Sequence, residues 1–213
     1  VERATGSGRR RVAEALWATI VREGVGGVSV RAVAAEAGVT GGTVQYYFRT
    51  RAEMLRYAME LIAERVERRL SAMPRSGPAR EWTRAILLEL LPLDAERHHE
   101  FSVWLAFSAY AGTDPALADL KRRTAARQRE LYRHLIRARR ASAEHPETGS
   151  RAISDAVEEA EAAILHAVVD GLALHLADLG IDEAAALGPH LLDHHLARSI
   201  DAPRTPEGFR PEG

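Results

Sequence analysis

A chain of 213 residues has room for one large domain or for a small domain joined to a larger one. Without cysteine it has no disulfide framework, thiolate nucleophile or cysteine zinc site. No uninterrupted apolar run reaches the ~18 residues of a membrane span and the opening VERATGSGRRRV lacks an apolar signal core, so a cytoplasmic protein with no membrane partner is expected. The formal net charge of −1 is unevenly spread: residues 1–60 hold nine Arg against six Glu, and the rest hold 20 basic against 24 acidic residues, which points to a polyanion met by the N-terminal part alone.

Apolar residues recur at helical spacing along nearly the whole chain, which predicts an all-α fold of about nine helices. The first runs from about Arg9 to Arg22, with Val12, Leu16 and Ile20 on one stripe and Ala13 and Trp17 beside it. Gly24, Gly26 and Gly27 break this pattern, and Ser29 is suited to cap a short second helix, Val30 to Ala37. Gly38 offers the left-handed backbone of a tight turn before a third short helix, Gly41 to Tyr47. Thr50-Arg51-Ala52-Glu53 has the pattern of a capping box and opens a fourth, longer helix to about Ala72. MPRSGPAR then breaks the chain. Later helices are expected at about Ala79 to Leu91, Ala95 to Ala111, Pro115 to Ala141 with Asp114 as its cap, Ala152 to Leu179 and Glu183 to Ile200. SAEHPETGS reads as a loop and residues 201–213 as a tail without fixed structure. By role, residues 1–50 form one domain and 51–200 a second, with the fourth helix bridging them.

Two short helices around a glycine-containing turn match a helix-turn-helix unit, whose second helix enters the major groove of DNA. On the third helix Val44 and Phe48 are four residues apart and share a face, so they should pack inward against Val33, Val39 and Trp17. The opposite arc holds Gly42, Thr43, Gln45 and Tyr46, polar and free of charge. Glutamine pairs with adenine in bidentate fashion, threonine can hydrogen-bond or touch a thymine methyl, and glycine permits close approach. Tyr46 and Tyr47 carry phenols of the kind that reach phosphate oxygens. Arg9 to Arg11 suit either a solvated helix start or an arm on the DNA backbone.

Residues 9–60 resemble the N-terminal domain of the tetracycline-repressor (TetR) family of bacterial transcription regulators. RRRVAEALWATIVREG, SVRAVAAEAGVT and GGTVQYYFRTRAEML carry the likeness. It implies a DNA surface of Thr40, Gly41, Gly42, Thr43, Gln45, Tyr46, Tyr47 and Arg51. Tyr47 would hold a phosphate, Thr43 and Tyr46 would face the groove, and Arg51 stands where members usually have Lys. Gln45 departs from the family, whose members most often have Tyr there, and suggests a base contact in place of a phosphate contact.

WLAF, DPAL and VVDGLALHL look most like the C-terminal region of the betaine-regulator (BetI) type. The resemblance implies a helical ligand-binding domain whose last two long helices form a four-helix bundle across a two-fold axis. Val157, Ala160, Ile164, Ala167, Gly171 and His175 share one face of the eighth helix, and Leu187, Leu191, Leu192 and Leu196 stripe the ninth. Family members hold a ligand among the middle helices; here the aromatic segment FSVWLAFSAYAG suggests Phe101, Trp104 and Phe107 as walls, with Ser108, His166 and Asp170 as polar groups. Such residues also suit a plain core. His190, Asp193, His194 and His195 have a spacing that metals accept, but a helix surface or dimer seam suits them better. The adjacent His98 and His99 point apart. No Gly-x-Ser-x-Gly, phosphate loop or His-Glu-x-x-His is present, which argues against an enzyme. The expected function is a homodimeric repressor, without cofactor, released from an inverted-repeat operator by a largely apolar small molecule. A metal sensor of the same fold, or less readily an all-helical enzyme, are the alternatives.

Overall fold

The computed structural model describes residues 2–113, 115–143 and 155–200. Among these, nine α-helices follow one another: α1 (Glu2–Gly27), α2 (Val30–Ala37), α3 (Gly41–Tyr47), α4 (Arg51–Ala72), α5 (Ala79–Glu89), α6 (Ala95–Tyr110), α7 (Pro115–Ala143), α8 (Asp155–Ala177) and α9 (Ile181–His195). A 3₁₀ turn extends α6 over Ala111–Thr113, and a π turn, Leu196–Ile200, closes α9. The cap expected at Asp114, most of the SAEHPETGS loop and the tail lie outside the described residues.

Local chemistry sets the boundaries in the first 50 residues. Gly24, at φ +71°, interrupts α1 where the sequence pattern stops. Ser29 caps α2, its Oγ accepting from the Ala32 N–H at 3.1 Å. Gly38 ends α2 at φ +62°, a left-handed conformation costly for any residue with a Cβ, and its N–H returns to the Ala34 and Ala35 carbonyls. Thr40 caps α3 by accepting from Thr43 N–H at 3.2 Å. Thr50 caps α4 through Glu53 N–H at 3.0 Å. Glu53 reaches back to the Arg49 N–H at 3.1 Å, one residue before the cap, so the capping box closes one position early.

The α1 helix begins at Glu2, ahead of its apolar stripe. Gly8 in this extension lies beneath Tyr47, and a Cβ added there would collide with the Tyr47 hydroxyl. Farther along, Val12, Ala13, Leu16, Trp17 and Ile20 are all buried, together with Val33, Val44 and Phe48. The same apolar cluster continues through Met54, Leu55, Ala58 and Ile62 of α4 and into Val103 and Phe107 of α6. Trp17 Nε1 donates to the Ala58 carbonyl at 3.1 Å inside it. The first three helices are therefore a separate unit in role, but their core is built jointly with α4 and α6.

A second cluster joins α5, α7, α8 and α9 through Ile86, Leu87, Tyr132, Leu135, Leu165, Val169, Leu176 and Leu192. Helix α4 meets both clusters, as do α6, through Val103 and Phe101, and α7, through Leu117 and Tyr132. In α4, Met54, Leu55 and Ala58 lie in the first, while Leu70 packs against the second.

The buried face of α8 carries Ala162, Leu165, Val169, Ala173 and Leu176. Its other face is also apolar: Val157, Ala160, Ile164, Ala167, Gly171 and Leu174 are exposed, with Ile164 at 58%. Ala156–Ala177 is in consequence long and apolar enough, by length and composition, to cross a membrane. This differs from the sequence expectation that no segment reaches that threshold, because an uninterrupted-run criterion overlooks a helix that is apolar on average although Glu158, Glu159, Glu161 and Asp170 interrupt it.

Candidate nucleic-acid interface and inner cavities

The α3 helix presents two distinct faces. Val44 and Phe48 anchor it, at 0% and 2% exposure. Gly42, Gln45 and Tyr46 lie on the opposite side in solvent, Tyr46 at 75%. Thr43 and Gly41 are half-buried at the edge of this surface, and the Thr43 hydroxyl is 3.0 Å from that of Thr40. The Tyr46 and Tyr47 rings meet edge to face at 5.2 Å. Tyr47 leans against the core cluster and places its hydroxyl over Gly8, at the edge between α3 and α1. The surface thus combines an uncharged centre of amide, hydroxyl and phenol groups with two glycines that let the backbone approach a partner.

Charge sits around that centre. Arg11, Arg31 and Arg49 are exposed and, among the described residues, have no ion-pair partner within 4 Å. The Arg11 guanidinium lies beside the Gly38 turn. Sequence reasoning singled out neither Arg31 nor Arg49; for Arg31 the signal was the absence of an acidic residue three or four positions away on the same helix, while Arg49 lies in the link between α3 and α4.

Two arginines that the sequence offered to DNA turn inward. Arg9 stacks over Tyr57 at 4.2 Å and Phe48 at 5.1 Å and approaches Glu53 at 3.5 Å, so it is no free arm. Arg51 donates through Nη2 to the Val25 carbonyl, and its guanidinium lies 4.9 Å from the centre of the Tyr110 ring. The Arg51 cation, expected on the DNA surface, is engaged here between the α1–α2 link and the end of α6. Distant partners, invisible in the local pattern, supply the reason.

Two neighbouring cavities lie behind this unit. The larger, about 360 Å³, is walled by α4, α6 and α7, with Met59, Ile62, Val66, Trp104, Phe107 and Leu131 supplying apolar surface. A smaller one of about 110 Å³ shares Ile62, Val66, Leu90, Trp104 and Gln128 with it and adds Phe101, Tyr132, Val169 and Asp170. Of the six ligand residues expected, Phe101, Trp104 and Asp170 line the smaller cavity, and Trp104 and Phe107 line the larger. Ser108 and His166 line neither. The Ser108 hydroxyl is buried without a hydrogen-bond partner, while His166 approaches Asp170 at 3.4 Å and packs on the Tyr132 ring at 5.2 Å. Met59, Val66 and Gln128 were missed, since nothing local separates a cavity wall from a core position.

An ion network forms one side of the smaller cavity. Arg69 donates to Glu100 at 2.6 and 3.1 Å and to Glu89 at 2.6 Å, and Arg97 reaches Glu89 at 3.4 Å. Hydrogen bonding to Glu100 raises the Arg69 pKa further, keeping its charge fixed. Burial pushes the Asp170 carboxyl above its ordinary value, against the pull of His166 and Lys121, and likewise raises the Tyr132 phenol. Near the C-terminus both Asp193 oxygens accept from Arg84, at 2.5 and 2.8 Å. His195 turns a buried Nε2 inward, and no group of three metal-binding side chains is gathered among the described residues.

The family comparison decides what this arrangement belongs to. Residues 13–58 match the model described as bacterial regulatory proteins, tetR family, and residues 79–201 match that of the BetI-type transcriptional repressor, C-terminal. The chain belongs to the TetR family. A TetR-family member is a DNA-binding transcriptional regulator, not an enzyme. The chain is 33% identical over 168 residues to the HTH-type transcriptional regulator PksA of Bacillus subtilis (strain 168), covering 78% of this chain and 77% of that protein. Its fold is similar to a transcriptional regulator from Rhodococcus sp. Rha1, with a TM-score of 0.76, 31% identity and coverage of 92% and 99% of the two chains. It is also similar to a regulator from Saccharomonospora viridis in complex with choline, at TM-score 0.71, 24% identity and coverage of 92% and 98%. The multidrug binding protein EbrR complexed with malachite green shares the fold at TM-score 0.58 and 25% identity, over 87% and 96% of the chains. Within the TetR family, the α2–α3 pair is the helix-turn-helix and α5–α9 fall in the C-terminal domain. The apolar α8 is thus a helix of a regulator domain.

Proposed function

We propose that this regulator is a homodimeric, cytoplasmic repressor that reads an inverted-repeat operator with α3 and releases it when a largely apolar small molecule enters the larger cavity. The observation that carries this reading is α4. Its first turns hold the core on which α3 is seated, and its later turns, through Met59, Ile62 and Val66, form a cavity wall. A ligand that favours one position of α4 changes the setting of α3 only by its differential affinity for the two states.

Thr40, Gly41, Gly42, Thr43, Gln45, Tyr46 and Tyr47 form the proposed DNA surface. Gln45 and Tyr46 address the groove, Tyr47 a phosphate at the α1 edge, and Arg11, Arg31 and Arg49 the flanking backbone. Arg51 supports the unit from within. The exposed apolar face of α8, continued by α9, is the proposed two-fold interface, because an apolar stripe of this kind with small residues suits close helix packing.

The test combines sedimentation with a fluorescence-anisotropy titration of DNA from upstream of the chain's own gene. Wild type is expected as a dimer that binds two protomers per duplex and survives non-specific competitor. Ile164→Arg is expected to sediment as a folded monomer and to bind at least about tenfold more weakly, having lost one of two linked half-site contacts. A dimeric Ile164→Arg variant would move the interface elsewhere. Absence of competitor-resistant binding to that DNA would remove the operator assignment.

A further inference from the structure

Tyr47 leans back on α1, and the residue beneath its hydroxyl has no side chain. A Cβ built on Gly8 would overlap that hydroxyl and would lie 2.7 Å from Cζ and 3.1 Å from Cε2 of the ring. Close-packed atoms do not tolerate such an approach, so something would have to yield. The helix itself supplies no reason for a glycine at this place, since alanine is the better helix former.

Neither backbone is free to give way. Arg9, the next residue of α1, is held over Tyr57 at 4.2 Å and Phe48 at 5.1 Å and approaches Glu53 at 3.5 Å. On the other side, Val44 and Phe48 seat α3 in the core at 0% and 2% exposure. What remains is the Tyr47 side chain, half-buried and ending at the edge between α3 and α1. Swinging it clear of a new methyl group carries the phenol off that edge and disturbs Tyr46, whose ring meets it edge to face at 5.2 Å. Resting on the phosphate contact proposed for Tyr47, we propose that Gly8 is a positioning residue for DNA binding: its bare backbone is the seat that fixes where the Tyr47 hydroxyl meets the phosphate. Gly8 acts through Tyr47 alone. Alanine at this position favours the helix and displaces the phenol, so DNA affinity falls while stability is kept.

The test is a fluorescence-anisotropy titration of the full chain with the duplex from upstream of its own gene, paired with urea unfolding of each variant. Tyr47→Phe is expected to bind about tenfold more weakly, having lost a hydrogen bond to a charged group. Gly8→Ala should lose about as much, with an unfolding midpoint no lower than that of wild type. In a Tyr47→Ala background, where the methyl meets no ring, the same Gly8→Ala change should alter affinity by less than about twofold. Full affinity in Gly8→Ala, a lowered midpoint, or an equal loss in both backgrounds would overturn the role of Gly8 and leave the Tyr47 contact standing. Full affinity in Tyr47→Phe would remove the phosphate contact and the role of Gly8 with it, as would a wild type that leaves the duplex unbound.

Discussion

Gln45 and Val44 are adjacent, yet they sit differently: Val44 has no exposure, and Gln45 faces solvent. Substitution of Gln45 should therefore alter recognition without altering the core. Gln45→Ala is expected to lose preference at one base pair, by about 1–3 kcal/mol, in a competition series of single-position DNA variants. Equal weakening on every sequence would assign the amide to phosphate. The opposite situation holds at Arg69, where removing the side chain leaves Glu100, 5% exposed, without its principal counter-charge. Arg69→Met should lower the unfolding free energy by about 3 kcal/mol, read by urea titration. The double variant Arg69→Met, Glu100→Gln should recover part of that loss, because the stranded charge is gone. A single variant as stable as wild type would mean that water replaces the arginine.

The elements themselves were largely legible, for a physical reason. Ser29, Thr40 and Thr50 cap helices through hydrogen bonds spanning three residues, and Val12, Leu16 and Ile20 repeat with the helical period, so a short window contains the cause. Partners were not legible. Arg51 opens α4 in the position of a surface cation, but it meets Val25, 26 residues away, and Tyr110 on α6. The cavity shows the same limit: Phe101, Trp104 and Asp170 come together, whereas Ser108, one turn beyond Trp104, buries its hydroxyl elsewhere, since periodicity gives a face and not what lies opposite it. Arg51 thus acts as a strut joining α4, the α1–α2 link and α6. Arg51→Ala should leave the slope of log affinity against log salt unchanged in DNA titrations and lower stability by about 1–2 kcal/mol. A slope reduced by about one unit, with stability intact, would return this residue to the phosphate contacts.

At the scale of the molecule, two apolar clusters meet along α4, α6 and α7, α3 carries the largely uncharged surface proposed to read DNA, and an apolar face of α8 is left open. A single chain gives no role to that open face. Two copies joined through it would carry two α3 helices related by a two-fold axis, and half-sites on DNA would repeat that symmetry at about one helical turn, or a multiple of it. The most direct measurement is selection of binding sites from a random duplex library by the purified full chain, followed by sequencing. The account predicts an enriched inverted repeat, with adenine preferred at one position of each half-site and that preference lost in Gln45→Ala. An enriched motif without two-fold symmetry, or no enrichment at all, would contradict it.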